Sequence, residues 1–182
     1  LETIHEFHPE ISAILNITPD HLNRHHTMDC YIKTKEAITT NQTKDEVCVL
    51  NYEDEVLRAF GESAPVHVVW FSSARKLAEG FYLDGEEIFY AHDGNTEKVI
   101  NVNDLNLLGR HNYENVMAAT AMSVNFGVPM EKIVEVLKRF QAVEHRIEYV
   151  TEKRGVRFYN DSKGTNPDAA IQGIRAMNRP TL

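Results

Sequence analysis

The feature that most constrains the fold is an alternation of short apolar, β-branched runs with a helical pattern. Residues 47–50 and 66–71 are apolar runs of strand length, and the pattern at residues 52–60 between them is helical. Residues 11–17 form another apolar run, which ends at Thr18-Pro19-Asp20, where a loop is expected. Strands that alternate with helices are typical of a parallel sheet. The sequence therefore predicts an α/β protein with a central parallel sheet and flanking helices.

A β-hairpin extension is predicted next in the chain. Residues 81–83 and 87–90 flank Asp84-Gly85, a dipeptide that favours a type I′ turn, and residues 98–102 fit an added edge strand. Helices are predicted at residues 112–126 and 129–140. In the second of these, the residues expected to face the core are Ile133, Val136, Leu137 and Phe140.

The pattern changes after residue 140, where we predict a domain boundary near Val143. Residues 147–151 and 156–160 have the composition of two strands, and Asn166-Pro167 is a typical helix start. The expected domains are residues 1–143 and residues 144–182.

Composition excludes two classes of protein. The chain has 19 Lys and Arg against 27 Asp and Glu, a net charge of −8, and its basic residues are scattered, which argues against a nucleic-acid partner. No apolar run is long enough for a membrane span. Cys30 and Cys48 lack metal or redox spacing and fit reduced intracellular thiols. We therefore expect a cytoplasmic protein in which any anionic ligand has a local site.

Lys35 is the first residue expected to carry chemistry. Met28, Tyr31, Lys35 and Ile38 share one helix face, so the lysine lies in an apolar stripe. A buried amine could act as a base or a nucleophile, or accept carbon dioxide. The alternative is a lysine that extends past Tyr31 to solvent.

Two further segments are candidate ligand sites. Asn112 and Asn115 lie on one helix face and could read the edge of a planar ligand such as a purine, with Gly109 allowing close approach; the alternative is a helix cap and a satisfied buried amide. Residues 160–166 join a strand to a helix, where α/β proteins bind ligands, and Lys163 could hold an anion there. The alternative for this segment is an ordinary polar connection.

Histidines give a weaker signal. His21 and His25 have the i, i+4 spacing that could face one metal, but no cysteine partner lies nearby. We expect His25 and His26 to be solvated loop residues.

Five ordered motifs between about residues 11 and 170 together resemble the Mur ligases of peptidoglycan synthesis. The motifs are LNITPDHLNRH at 15–25, YIKTK at 31–35, GRHNYEN at 109–115, HRIE at 145–148 and NDSKGTN at 160–166. The last is most similar to the branch of the family that adds D-glutamate to UDP-N-acetylmuramoyl-L-alanine.

The resemblance implies a central ATP-binding domain, followed by the start of a Rossmann-like C-terminal domain. It implies that Lys35 is carbamylated and that Lys35 and His21 are catalytic, metal-binding residues, with His21 also at the muramoyl substrate. It assigns Asn112 and Asn115 to adenine, and Arg146 and Asp161 to the phosphates and ribose of ATP. Lys163 and Thr165 match the amino-acid site.

The resemblance also implies a reaction and its setting. ATP and Mg²⁺ are the implied cofactors: ATP phosphorylates the L-alanyl carboxylate, and the amine of D-glutamate attacks the acyl phosphate. The implied full-length enzyme is a cytoplasmic monomer that acts in cell-wall synthesis, and thereby in cell shape and division.

One departure from the family is plain in the sequence. No Gly-Lys-Thr or Gly-Lys-Ser of a GxxGKT phosphate loop occurs in the chain. We therefore expect the middle of a longer ligase, inactive by itself, with both ends cut. The alternatives are a non-catalytic nucleotide- or metal-binding module, and a related Mur or folylpolyglutamate-type ligase that uses another amino acid.

Overall fold

A computed structural model describes residues 1–19, 22–165 and 167–182, without the side chains of Leu22 and Asp168. The strands are β1 (Ile11–Ile14), β2 (Val47–Asn51), β3 (His67–Ser72), β4 (Gly80–Asp84), β5 (Glu87–His92), β6 (Asn95–Asn101), β7 (Glu148–Lys153) and β8 (Val156–Asn160). The α-helices are α1 (Leu22–His25), α2 (Met28–Glu36), α3 (Glu55–Ser63), α4 (Arg110–Asn125), α5 (Met130–Arg139) and α6 (Pro167–Arg175). Two 3₁₀ turns occupy Ala37–Thr39 and Val102–Asp104.

The main sheet has six strands in the order β1-β2-β3-β4-β5-β6. Strands β1 to β4 pair in parallel, whereas β5 and β6 are antiparallel additions. Strands β7 and β8 form a separate antiparallel pair. The predicted α/β fold, with a central parallel sheet, flanking helices and a hairpin extension, is confirmed.

The sheet is covered on both faces, which explains the continuous apolar runs in its strands. In β2, Cys48 and Leu50 pack in one cluster with Leu57 of α3 and Tyr31 of α2. Val49 points to the other face and packs in a second cluster, which includes residues of α4. Successive residues of a strand alternate between faces, so a strand buried on both sides needs apolar residues at every position.

The start of α2 is set by its cap. Thr27 has extended backbone, and its side-chain oxygen accepts a hydrogen bond from the N–H of Cys30. The stripe predicted on this helix packs inward at Tyr31, which is buried, and at Met28 and Ile38. Lys35 on the same stripe is half-buried.

Three local predictions are wrong. The loop of the β4–β5 hairpin consists of Gly85 and Glu86, and only Gly85 has a positive φ (61°), as in a type II′ rather than a type I′ turn. Pro129 is the N-cap of α5 rather than its first residue. Val136 and Phe140 are 47% and 45% exposed, because no described element packs over this part of the apolar face of α5.

The segment after residue 143 consists of the β7–β8 hairpin and α6. Tyr149, Val150, Val156 and Phe158 on the hairpin are all exposed. The domain boundary near Val143 and the Rossmann-like character of the second domain stay predictions.

Candidate functional site

A cleft of about 730 Å³ lies between the main sheet and the C-terminal segment. Its walls come from the loop after β1, the first turns of α4, and the segment from Arg146 to Ala176. The lining residues are Leu15, Asn16, Thr18, Arg110, His111, Glu114, Asn115, Arg146, Ile147, Asp161, Lys163, Gly164, Ala169, Gln172, Gly173, Arg175 and Ala176. Three segments that are distant in sequence therefore meet at one site.

Two polar side chains fix the loop after β1. Asn51, at the end of β2, donates from Nδ2 to the carbonyl oxygen of Leu15 at 3.1 Å. Asp54 accepts from the backbone N–H of Ile17 at 2.6 Å through Oδ2, while its Oδ1 caps the start of α3. The loop is thus tied to the carboxyl end of the neighbouring strand, the edge at which α/β sheets bind ligands.

Gly109 sets the approach of α4 to the C-terminal segment. Its φ is 92°, and a Cβ atom at this position would lie 2.5 Å from the Cβ of Ala176. The glycine therefore permits close contact between the start of α4 and the residue after α6. The prediction for this glycine is close approach of a ligand, whereas its close contact in the structure is with Ala176.

The two predicted carboxamides of α4 differ in position. Asn112 is buried, and its Nδ2 donates to the carbonyl oxygen of Leu108 at 2.7 Å. Asn115 lines the cleft, with its Nδ2 at 3.5 Å from Oδ1 of Asn112. The amide of Asn112 is thus bonded to the backbone just before α4, whereas the amide of Asn115 faces the cleft.

Asp161 organises the C-terminal wall. Its Oδ1 accepts a hydrogen bond from the N–H of Ile147 at 3.1 Å. A Cβ atom at Gly173 would lie 2.5 Å from its Oδ2, so the carboxylate packs directly against the backbone of α6. The N–H of Lys163 donates to the carbonyl oxygen of His145 at 2.9 Å, which links the same two segments again. These two hydrogen bonds are made by the backbone of the residues on either side of Arg146.

The charge of the cleft favours an anion. Its described lining includes four basic residues, Arg110, Arg146, Lys163 and Arg175, and two acidic ones, Glu114 and Asp161. Burial lowers the pKa of His111, and the charge of Arg146 lowers it further; Glu114 and Asp161 act in the opposite direction. The cleft thus has an excess of positive charge in a chain of net charge −8, as the local binding of an anionic ligand would require.

A second cavity, of about 340 Å³, contains Lys35. Its other lining residues are Leu1, Glu2, Thr3, Arg24, His25, Tyr31 and Thr34. The ammonium group of Lys35 lies 5.3 Å from the centroid of the Tyr31 ring. His21, the predicted companion of Lys35, lies outside the described residues, as does the predicted helix cap Asn166.

Glu2 connects the polar groups of the second cavity. It pairs with Arg24 at 2.7 Å and with Nδ1 of His25 at 3.0 Å, and the hydrogen bond from Arg24 lowers the pKa of Glu2. The prediction that His25 is solvated is wrong, because its side chain is only 10% exposed. Glu2 holds it in place from 23 positions earlier in the chain.

Few metal ligands are present in this second cavity. Within residues 1–19, 22–165 and 167–182, no group of three or more His, Cys, Asp or Glu side chains could hold a metal ion. Mg²⁺ prefers oxygen ligands, of which Glu2 supplies a carboxylate. An ammonium group cannot bind the ion, whereas a carbamate on Lys35 could. The side chains present fit Mg²⁺ only if Lys35 is modified.

The structure brings together four of the predicted site residues, Asn115, Arg146, Asp161 and Lys163. Asn112 lies behind them, Lys35 lies in the second cavity, and Thr165 is exposed outside the lining of the cleft. Arg110, Glu114, Gln172 and Arg175 also line the cleft, and none of them was a predicted site residue. Helical spacing could have found them, since Arg110 and Glu114 lie four positions apart and Gln172 and Arg175 three, so that each pair shares a helix face.

Comparison with known proteins gives a family match. The Mur ligase middle domain matches residues 1–123. A UDP-N-acetylmuramoylalanine–D-glutamate ligase from Lachnospira eligens is 60% identical over 182 residues, which are 100% of this chain and 40% of that protein. Proteins of the same name from Lachnoclostridium phytofermentans and Clostridioides difficile are 57% and 46% identical over the same shares. The chain thus spans about 40% of the length of these curated relatives.

Solved structures agree at the level of the fold. MurF from Acinetobacter baumannii matches with a TM-score of 0.69 and 22% identity, over 93% of this chain and 38% of that one. MurF from Thermotoga maritima, in complex with ADP, matches with a TM-score of 0.66 and 20% identity, over 92% of this chain and 39% of that one. Among the described residues, no helix has both the length and the apolar character to cross a membrane.

Proposed function

Because this chain belongs to the Mur ligase family, we propose that it is the ATP-binding part of a ligase that adds D-glutamate to UDP-N-acetylmuramoyl-L-alanine. The enzyme would act in the cytoplasm, as a monomer, in peptidoglycan synthesis. The name shared by relatives that are 46% to 60% identical supports this substrate pair. The single observation that carries the proposal is the positively charged cleft, in which Asn115 of α4 faces Arg146, Asp161 and Lys163 of the C-terminal segment.

Each part of the cleft has a role in this proposal. Asn115 binds the adenine, supported by Asn112 behind it, and Arg146 and Lys163 neutralise phosphate oxygens. Asp161 holds the backbone around Arg146 and lies within reach of the ribose. The lining comes from two parts of the chain, the main-sheet part and the C-terminal segment. Bound ATP would therefore contact both parts and hold them together. Lys163 and Thr165 would extend this surface toward D-glutamate.

In the same proposal, the second cavity holds Mg²⁺ beside the muramoyl substrate. Lys35, as a carbamate, and His21 would bind the ion, and the described carboxylate of Glu2 lies in the same cavity. The ion would neutralise charge on phosphoryl oxygens when bound. Lys35 would provide an anionic oxygen, and Tyr31 would support the stem of the lysine.

The isolated chain should lack ligase activity, because it contains no GxxGKT phosphate loop and phosphoryl transfer depends on positioning. Phosphate release from ATP, with both substrates present, should therefore stay at background. Turnover by this chain alone would contradict the proposal.

The activity itself is tested in the longer enzyme that contains this segment. Substitution Arg146→Gln should reduce phosphate release that depends on both substrates, whereas Arg157→Gln, on the exposed hairpin, should not. Replacing D-glutamate by other amino acids distinguishes the proposal from a related ligase. Normal activity of the Arg146→Gln enzyme would count against the cleft, and the absence of any ATP-dependent ligation would favour a binding module.

A further inference from the structure

Glu114 is the unexplained charge in the cleft. The other acidic lining residue, Asp161, binds the backbone of Ile147, whereas Glu114 projects from α4 next to Asn115. An acidic side chain weakens the attraction of the cleft for phosphate. A carboxylate in this place calls for a ligand group other than an anion.

One oxygen of Glu114 is fixed by the main sheet. The hydroxyl of Ser73, which follows β3 and is 4% exposed, donates a hydrogen bond to Oε1 of Glu114. This bond joins positions that are 41 residues apart and holds the half-buried side chain in one orientation. The carboxylate is therefore positioned before any ligand arrives.

The other oxygen, Oε2, has no partner in residues 1–19, 22–165 and 167–182: no hydrogen bond or ion pair of a described residue reaches it. A carboxylate accepts hydrogen bonds and donates none. The group that Oε2 can bind is consequently a hydrogen-bond donor, and phosphate oxygens are excluded by their charge.

On the basis of the proposed function, we propose that Glu114 is a specificity-determining residue, which accepts a hydrogen bond from the exocyclic amino group of the nucleobase. Its neighbour Asn115 offers both a donor and an acceptor, so together the two side chains can read a base edge. A base with a carbonyl oxygen in place of the amine would place one hydrogen-bond acceptor against another, and no hydrogen bond could form. The cleft would therefore prefer adenine to hypoxanthine.

The ribose hydroxyls are the other donors of a nucleotide. If a ribose hydroxyl were the partner of Glu114, its removal would weaken nucleotide binding in the wild-type chain but not in the Glu114 variants. The preference for ATP over ITP would then be the same in all of these chains. Titrations with ATP, ITP, 2′-deoxy-ATP and 3′-deoxy-ATP separate these two sources of a donor.

The experiment is an NMR titration of the full chain with each nucleotide, because amide shifts detect weak binding and also report folding. Wild-type chain should bind ATP more tightly than ITP. In Glu114→Met, which removes both acceptors, the preference should fall roughly tenfold, the value of one hydrogen bond to a charged group. Glu114→Gln should lower it too, because Ser73 can occupy the remaining carbonyl oxygen. Glu131→Gln, an exposed site on α5, is the matched control and should leave the preference unchanged.

The outcomes separate this inference from the proposed function. An unchanged ATP-to-ITP preference in both Glu114 variants, with ATP still bound, would overturn the inference alone. A dependence on Glu114 that is seen only with the deoxy nucleotides would also overturn it, in favour of ribose. No binding of any nucleotide by the wild-type chain would overturn the proposed cleft and this inference together.

Discussion

The carboxylate of Asp161 accepts a hydrogen bond from the backbone N–H of Ile147, at 3.1 Å. Ile147 is β-branched and buried, yet its φ is 48°, a region that such residues rarely adopt. Asp161 therefore stabilises a strained backbone next to Arg146 and, through its contact with Gly173, ties that backbone to α6.

Removing this hydrogen bond should destabilise the C-terminal segment. Substitution Asp161→Ala leaves the buried N–H of Ile147 without a partner, at a cost of about 1–3 kcal/mol. Asp161→Asn keeps an acceptor oxygen and should cost less. Hydrogen exchange of the Ile147 amide measures both effects, and equal acceleration in the two variants would refute this role of Asp161.

Substitution Gly109→Ala should loosen the contact between α4 and the end of α6. The new methyl group would meet Ala176, and the backbone strain of a non-glycine residue at φ 92°, ψ 149° would add about 1–3 kcal/mol. Gly127→Ala is the matched control, because Gly127 has a φ of 88° and nothing within 4 Å of an added Cβ. Urea unfolding should show a larger loss of stability for Gly109→Ala. Equal losses would mean that the contact with Ala176 is unimportant.

Stability should depend on pH through His111. Burial and Arg146 lower the pKa of His111 in the folded chain, so the unfolded chain binds the proton at higher pH. The free energy of unfolding should therefore fall as pH decreases below about 6.5, until His111 is protonated in both states. His111→Gln should remove this part of the pH dependence, measured by urea unfolding across the range.

The same histidine reports on the charge of Arg146. In Arg146→Gln, one of the two causes of the lowered pKa is gone, so the pKa of His111 should rise. NMR titration of the imidazole measures this shift directly. A pKa unchanged from the wild-type chain would place Arg146 too far away to act on His111.

Lys35 should be essential in the longer enzyme as a carbamate rather than as a cation. Lys35→Ala should lose most activity and regain part of it when a short carboxylic acid is added, because the acid can occupy the vacated ligand site. Lys35→Arg keeps a charge without oxygen ligands and should not recover. Near-normal turnover of the Lys35→Arg enzyme would favour a plain cationic role.

Local sequence patterns predicted the strands and helices well, because a buried face of a strand or helix requires apolar residues at regular spacing. Strands β2 and β3 and helix α4 lie close to their predicted positions for this reason. The exposure of Val136 and Phe140 could not be predicted, since a row of apolar residues on a helix does not indicate whether another element packs against it.

Other features of the site could not be predicted from sequence, because they depend on contacts between segments that are distant in the chain. His25 is paired with Glu2, and Glu114 is oriented by Ser73; neither partner is close in sequence. The family motifs located Asn115, Arg146, Asp161 and Lys163, but only the fold shows that α4 and α6 face each other across one cleft.

The most direct test of a nucleotide site in this cleft is a titration of the chain with ATP, followed by amide chemical shifts. Amides of Asn115, Arg146 and Lys163 should shift together with one affinity, while those of residues 95–98, the exposed part of the edge strand β6, should not. Arg146→Gln should weaken the binding. Shifts confined to other surfaces, or no shift at high ATP concentration, would contradict a nucleotide site in this cleft.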